Sequence, residues 1–243
     1  PQVKESLQIL SQCWENETFE WNGSISISER SVIPQPIQLP HPPLYMACTK
    51  DDTVRLAAEY GLGALVLGFS GPSQVSELKK IYDDAIASRS NKNCISKTPI
   101  NFLSALCPTV VLNDAEEAFQ IGARGQKFFA ESIQHWNIGT PLPEHVPSDI
   151  DIRDAIDDAK ERVEAFMTKG GHPLPSVVAS TEPFNINHAY GDSDDAIRYV
   201  KELEKAGADE IMCLIQMGGV PHEVAMETIR QYGENVIPHF SSV

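Results

Sequence analysis

Four short, unbroken apolar runs, each followed by a longer stretch at helical spacing, constrain this chain more than any other feature. The runs are Leu44-Tyr45-Met46-Ala47-Cys48, Ala64 to Phe69, Phe102 to about Val111, and Glu210 to Gln216. A strand with one wet face alternates apolar and polar residues. These runs do not alternate, so both faces are covered, as in a parallel sheet. The helical stretches that follow cover Asp51 to Tyr60 (closed at Gly61), Gln74 to Ala87, Asp114 to His135, and a segment from near Pro221 to Tyr232. Strand followed by helix, repeated four times, implies right-handed crossovers and an α/β fold.

The rest of the chain frames these modules. Val3, Leu7, Leu10 and Trp14 recur at three- and four-residue intervals and predict an N-terminal helix. Trp21, Ile25 and Ile27 flank Asn22-Gly23, the pattern of a surface hairpin. The segment PQPIQLPHPP carries five of the 17 prolines and cannot be helical. Pro108 is expected to disturb the end of the third strand. A proline-containing loop with Pro141, Pro143 and Pro147 leads into an acidic helix from about Asp149 to Lys169, and a further helix from Ser193 to Lys205 is capped by Asp192 and closed by Gly207. The whole of 1–243 reads as a single domain, with a lid or insertion over approximately 137–190. Four parallel strands leave two open edges, whereas a closed (β/α)8 barrel has eight strands and none.

A formal net charge of −15 repels phosphate backbones and anionic lipid, so neither nucleic acid nor a membrane is expected as a partner. Five cysteines (Cys13, Cys48, Cys94, Cys107, Cys213) form no CxxC pair, which points to free thiols and a reducing, cytoplasmic setting. Seven histidines without a HExxH pattern give no zinc signature.

Three segments have the residue types for chemistry. At Cys48 to Thr53 a strand gives way to a helix, and Thr49, Lys50 and Thr53 stand where helix N–H groups and a positive dipole end favour a phosphate. A plain N-cap, with Asp51 and Asp52 complementing the dipole, explains the same residues. In Gln216-Met217-Gly218-Gly219-Val220-Pro221-His222-Glu223, paired glycines allow close backbone approach, while His222 and Glu223 read as solvent-facing residues of a first helical turn. Leu67-Gly68-Phe69-Ser70-Gly71 ends the second strand, where Gly68 can admit a flat ring or merely accommodate packing. His135-Trp136 and His145 sit around the lid. No P-loop, GxGxxG or GxSxG motif occurs. The catalytic residues are not assigned.

LPHPPLYMACTKDDTVRLAAEYGLGALVLGF and KELEKAGADEIMCLIQMGGVPHEVAMETIRQYGENVIPHF resemble the middle and the C-terminal end of luciferase-like flavin-dependent monooxygenases, with NDAEEAFQIGARGQKFFAESIQHW fitting between them. The resemblance implies a (β/α)8 TIM barrel of which the chain holds strands five to eight with their helices, the front half lying before Pro1. It implies FMN as cofactor, with Cys48, Thr49, Lys50 and Thr53 around its phosphate and Gly68 and Phe69 along its ring. Cys48 and Lys50 stand where the family usually has small or acidic residues. The implied activity is oxygenation of a small organic substrate by reduced flavin and O2. A flavin reductase would be the source of reduced flavin, and the assembly a homo- or hetero-dimer. The same barrel also serves deazaflavin-dependent oxidoreductases and non-catalytic flavin-binding or partner subunits.

Overall fold

The computed structural model describes residues 2–69, 71–90, 92–170, 184–186 and 188–240. The chain falls into two compact units, Pro1–Leu65 with Lys80–Leu103, and Val66–Lys79 with Ser104–Val243.

The first unit opens with α1 (Gln2–Glu15) and an antiparallel hairpin of β1 (Thr18–Asn22) and β2 (Ser26–Ser31). The Glu5 carboxylate gathers this corner, accepting from Trp21 Nε1 at 2.9 Å and from the Ser24 N–H at 2.7 Å. The proline-rich segment that follows forms neither helix nor strand. Then come β3 (Tyr45–Cys48) and α2 (Asp51–Tyr60), whose Val54, Ala57 and Ala58 are fully buried. The N–H of Gly63 donates to the Leu44 carbonyl and that of Ala64 to the Phe102 carbonyl, both at 2.9 Å. The fully buried Tyr82 ties the same core together by donating its hydroxyl to the Leu62 carbonyl at 2.6 Å. Both β4 (Gly63–Leu67) and α3 (Pro72–Ser88) contribute residues to each unit.

The second unit is built on β5 (Leu103–Val111). It pairs in parallel with β7 (Glu210–Leu214), from Ser104↔Glu210 to Pro108↔Leu214. Further along, it pairs in parallel with β6 (Ala189–Gly191), from Thr109↔Ala189 to Val111↔Gly191. Two expectations are corrected here. The three-residue β6 adds a parallel strand too short to leave an apolar run. Pro108 does not disturb β5, which continues to Val111. The Leu106 carbonyl accepts from the Gly68 N–H at 2.8 Å, and by alternation Pro108 turns to that same side. There β4 has ended at Leu67, and the Gly68 carbonyl accepts instead from the Gly71 N–H, so no ladder donor is missed at the proline.

Four helices complete this unit: α4 (Ala115–Ile138), α5 (Ile152–Gly170), α6 (Ser193–Lys205) and α7 (His222–Gln231), followed by a π-helical turn at Tyr232–Val236. Asp114 caps α4 by accepting from the Glu117 N–H at 3.0 Å, and Asp192 caps α6 by accepting from the N–H groups of Asp194 and Asp195. The acidic helix begins at Ile152 rather than Asp149, because Asp151 accepts from the Arg153 N–H at 2.9 Å and acts as its cap. Its Ile152, Ile156, Ala159 and Val163 lie on one face and share a core with Ala118, Ala123 and Ala130 of α4. Burying four such residues is worth several kcal/mol, on the order of 1.5–3 kcal/mol for each large side chain. Among the described residues no helix is long and apolar enough to cross a membrane.

Candidate functional site

In the first unit, the turn between β3 and α2 has the geometry of a reciprocal cap. Lys50 is the last extended residue before the helix. Its N–H donates to Thr53 Oγ1 at 3.2 Å, and the Thr53 hydroxyl donates to the Lys50 carbonyl at 2.7 Å. Cys48 is buried, its thiol donating to the Met46 carbonyl at 3.3 Å, and burial pushes that thiol up to about 11. Thr49 and Lys50 are exposed, and Lys50 forms no ion pair among the described residues. Cys48 and Thr53 therefore shape the turn, while Thr49 and Lys50 present polar groups outward. Asp51 and Asp52 are exposed beside them.

In the second unit, Gly68 lies hard against β5. A Cβ added to it would fall 2.8 Å from Cys107 Sγ, so the strand itself fills the space a side chain would take. The adjacent Phe69 is 3% exposed. It stacks on Phe129 with ring centroids 5.9 Å apart and meets the His188 ring edge-on at 6.3 Å.

His188 is the centre of a buried polar network. Its Nδ1 lies 3.0 Å from the Tyr199 hydroxyl and its Nε2 3.4 Å from Gln126 Nε2. Gln126 in turn donates to the Asn185 carbonyl at 2.6 Å and accepts from the Tyr190 hydroxyl at 2.8 Å. Burial holds the imidazole down at about 4, against an ordinary 6.5, so it is neutral at physiological pH. Burial also raises the Tyr190 and Tyr199 hydroxyls, which stay protonated.

The paired glycines and the front of the lid come together at a third place in this unit. Arg124, Gly125, His145, Val146, Gly218 and Gly219 line a cavity of about 540 Å³. Gly218 takes φ +59, and a Cβ on it would stand 2.5 Å from the Gly125 carbonyl oxygen, so α4 and the loop after β7 meet backbone to backbone. His222 and Glu223 are exposed in the first turn of α7. His135 packs edge-on to Trp136, itself 85% exposed, and uses its Nδ1 on the Thr140 carbonyl at 2.6 Å. Part of the expected lid (residues 171–183 and 187) lies outside the described residues.

These groups can bind, orient and exclude water. The thiols of Cys13, Cys48, Cys107 and Cys213 are all shifted upward by burial, Cys107 to about 12, so none is an activated nucleophile. Among the described residues no cluster of three histidine, cysteine or acidic side chains can hold a metal. The His188 network escaped the sequence reading because Gln126 and His188 are 62 residues apart and neither sits in a motif.

A family model described as luciferase-like monooxygenase matches residues 1–137. A curated relative, an uncharacterised protein of Sinorhizobium fredii, is 21% identical over 227 residues, covering 92% of this chain and 56% of its own length. Among solved structures, the coenzyme F420-dependent tetrahydromethanopterin reductase of Methanopyrus kandleri aligns with a TM-score of 0.62 at 20% identity, over 98% of this chain and 63% of that one. The oxygenating constituent of 3,6-diketocamphane monooxygenase from Pseudomonas putida, a type II Baeyer-Villiger monooxygenase in complex with FMN, aligns with a TM-score of 0.53 at 14% identity, over 97% and 62%. These structural likenesses speak to the fold. The chain spans little more than half the length of the curated relative it matches.

Proposed function

The chain belongs to the luciferase-like monooxygenase family, and we propose from this that it is part of an FMN-dependent monooxygenase acting on a small organic substrate. The observation that carries the reading is the family match over residues 1–137, which takes in the turn at Cys48–Thr53 together with Gly68 and Phe69. In this reading β3, β4, β5 and β7 are strands five to eight of a (β/α)8 barrel. A flavin reductase would supply reduced cofactor, and the working assembly would be a dimer.

The residues of the first-unit turn fit a phosphate. Lys50 is an exposed cation with no acidic partner among the described residues, and Thr49 beside it is exposed. Both stand at the N-terminus of α2, where N–H groups and the dipole favour an anion. Thr53 and Cys48 would act indirectly, by fixing the path of the backbone. In the second unit Gly68 and Phe69 are buried, so any part they play toward the ring would be indirect, through the packing of Phe69 on Phe129 and the neutral His188. Reduced FMN supplies the chemistry, reacting with O2 and delivering one oxygen atom to the substrate. The protein's share is to position the reactants and keep water out.

A second reading, a deazaflavin-dependent oxidoreductase on the same barrel, is supported by the likeness to the F420-dependent reductase. It differs in transferring a hydride without O2. Replacement of Lys50 and Thr53 in the full-length protein tests the FMN reading: weakened FMN binding supports it, and unchanged affinity in a titration counts against the phosphate assignment.

A further inference from the structure

The cavity between α4 and the loop after β7 holds a cation that no carboxylate pairs with among the described residues. The Arg124 guanidinium donates through Nη1 to the Gln120 carbonyl at 3.1 Å. Through Nη2 it donates to the carbonyls of Pro147, Ser148 and Ile150 at 3.3, 3.3 and 2.6 Å. Every one of these partners is a neutral oxygen. No carboxylate pairs with Arg124 among the described residues, and its buried Nε–H has no acceptor. A half-buried cation held by dipoles alone keeps its full charge in a medium that screens it less than water does.

The walls around this cation are apolar. Ile121 and Phe128 stand on the same face of α4 as Arg124, and Val146 and Pro221 close two further sides. Phe128 remains 39% exposed, a large aromatic left uncovered at the rim. The lining is open at Gly219, since a Cβ added there meets nothing within 4 Å. A volume of about 540 Å³ lies within the range of small-ligand sites, roughly 300–1,000 Å³. Three further polar residues, Glu144, His145 and Ser148, line the space. His145 and Glu144 are both exposed, so solvent screens the Glu144 charge more than that of the half-buried Arg124.

We propose that this cavity binds a small organic acid, with an apolar body against Phe128, Ile121 and Pro221 and a carboxylate opposite Arg124. The site is distinct from the flavin-binding residues proposed above, and its occupancy does not depend on them.

Calorimetric titration of the full-length protein with 4-phenylbutyrate, and with its neutral amide as control, tests the assignment without flavin. The acid is expected to saturate at one site and to bind at least about tenfold more tightly than the amide, the difference that one charge-assisted contact makes. Arg124→Gln should remove that preference. Because Arg124 also holds the 147–150 segment, Gly219→Leu provides a second variant that fills the cavity and leaves those hydrogen bonds in place; it should abolish binding of both compounds. Equal binding of acid and amide, no saturable binding, or full binding by Gly219→Leu would each overturn the proposal.

Discussion

The ammonium of Lys127 lies 2.8 Å from Glu131 Oε1 one helical turn further along α4, and both side chains are shielded, at 3% and 11% exposure. Glu131 has two more partners. Oε1 also accepts from Arg162 of α5 at 3.0 Å, and Oε2 accepts from the N–H of Glu144 at 3.2 Å. One carboxylate thus joins two helices and the loop that leads towards the cavity. Removing it leaves Lys127 buried without a counter-charge. Glu131→Gln is expected to destabilise the protein by about 3–5 kcal/mol, read as a lower denaturant midpoint. Arg162→Ala, which removes only the half-exposed partner, should cost about 1 kcal/mol or less.

His188 makes stability depend on pH in a defined window. Its folded value of about 4 lies below the ordinary 6.5, because burial disfavours the charged ring. The unfolded chain therefore takes up the proton first as pH falls. The stabilisation is complete above pH 6.5 and is lost progressively between 6.5 and 4, by roughly 3 kcal/mol in all. His188→Gln should flatten the unfolding free energy across that interval relative to the parent protein.

Gly218 and Gly125 make an asymmetric prediction for neighbouring positions. Gly218→Ala places a Cβ 2.5 Å from backbone at φ +59, so thermal unfolding should move down by the equivalent of about 2 kcal/mol or more. Gly219→Ala adds its Cβ to open space and should leave the midpoint nearly unchanged.

How much of this was legible in the sequence follows from the range of the interactions. The cap at Asp192 was readable because its partners lie two and three residues away, whereas Asp114 was read as the first residue of its helix and not as its cap. The segment of α5 was readable as an acidic helix, but which of its faces is buried was not read. The three residues of β6 carry no period, and Pro108 looked disruptive because no local feature reveals that β4 stops before reaching it. Lys127 and Glu131 stand at an ordinary i, i+4 spacing, and only the packing of α5 shows that the pair is buried. At the turn before α2, Lys50 and Thr53 were recognisable as residues of interest, but their reciprocal hydrogen bonds, which commit Thr53 to the backbone, depend on coordinates.

Lys50→Ala bears on the cofactor's phosphate specifically. If Lys50 meets that group, the variant should lose FMN affinity by about tenfold while riboflavin, which lacks the phosphate, binds the variant and the parent alike.

The most direct measurement is a side-by-side fluorescence titration of the full-length protein with FMN and with the deazaflavin F420. Saturable binding of FMN, with F420 binding far more weakly, is the predicted result. Tight binding of F420 with no binding of FMN would contradict the monooxygenase reading and favour hydride transfer, and failure to bind either would contradict a flavin role altogether.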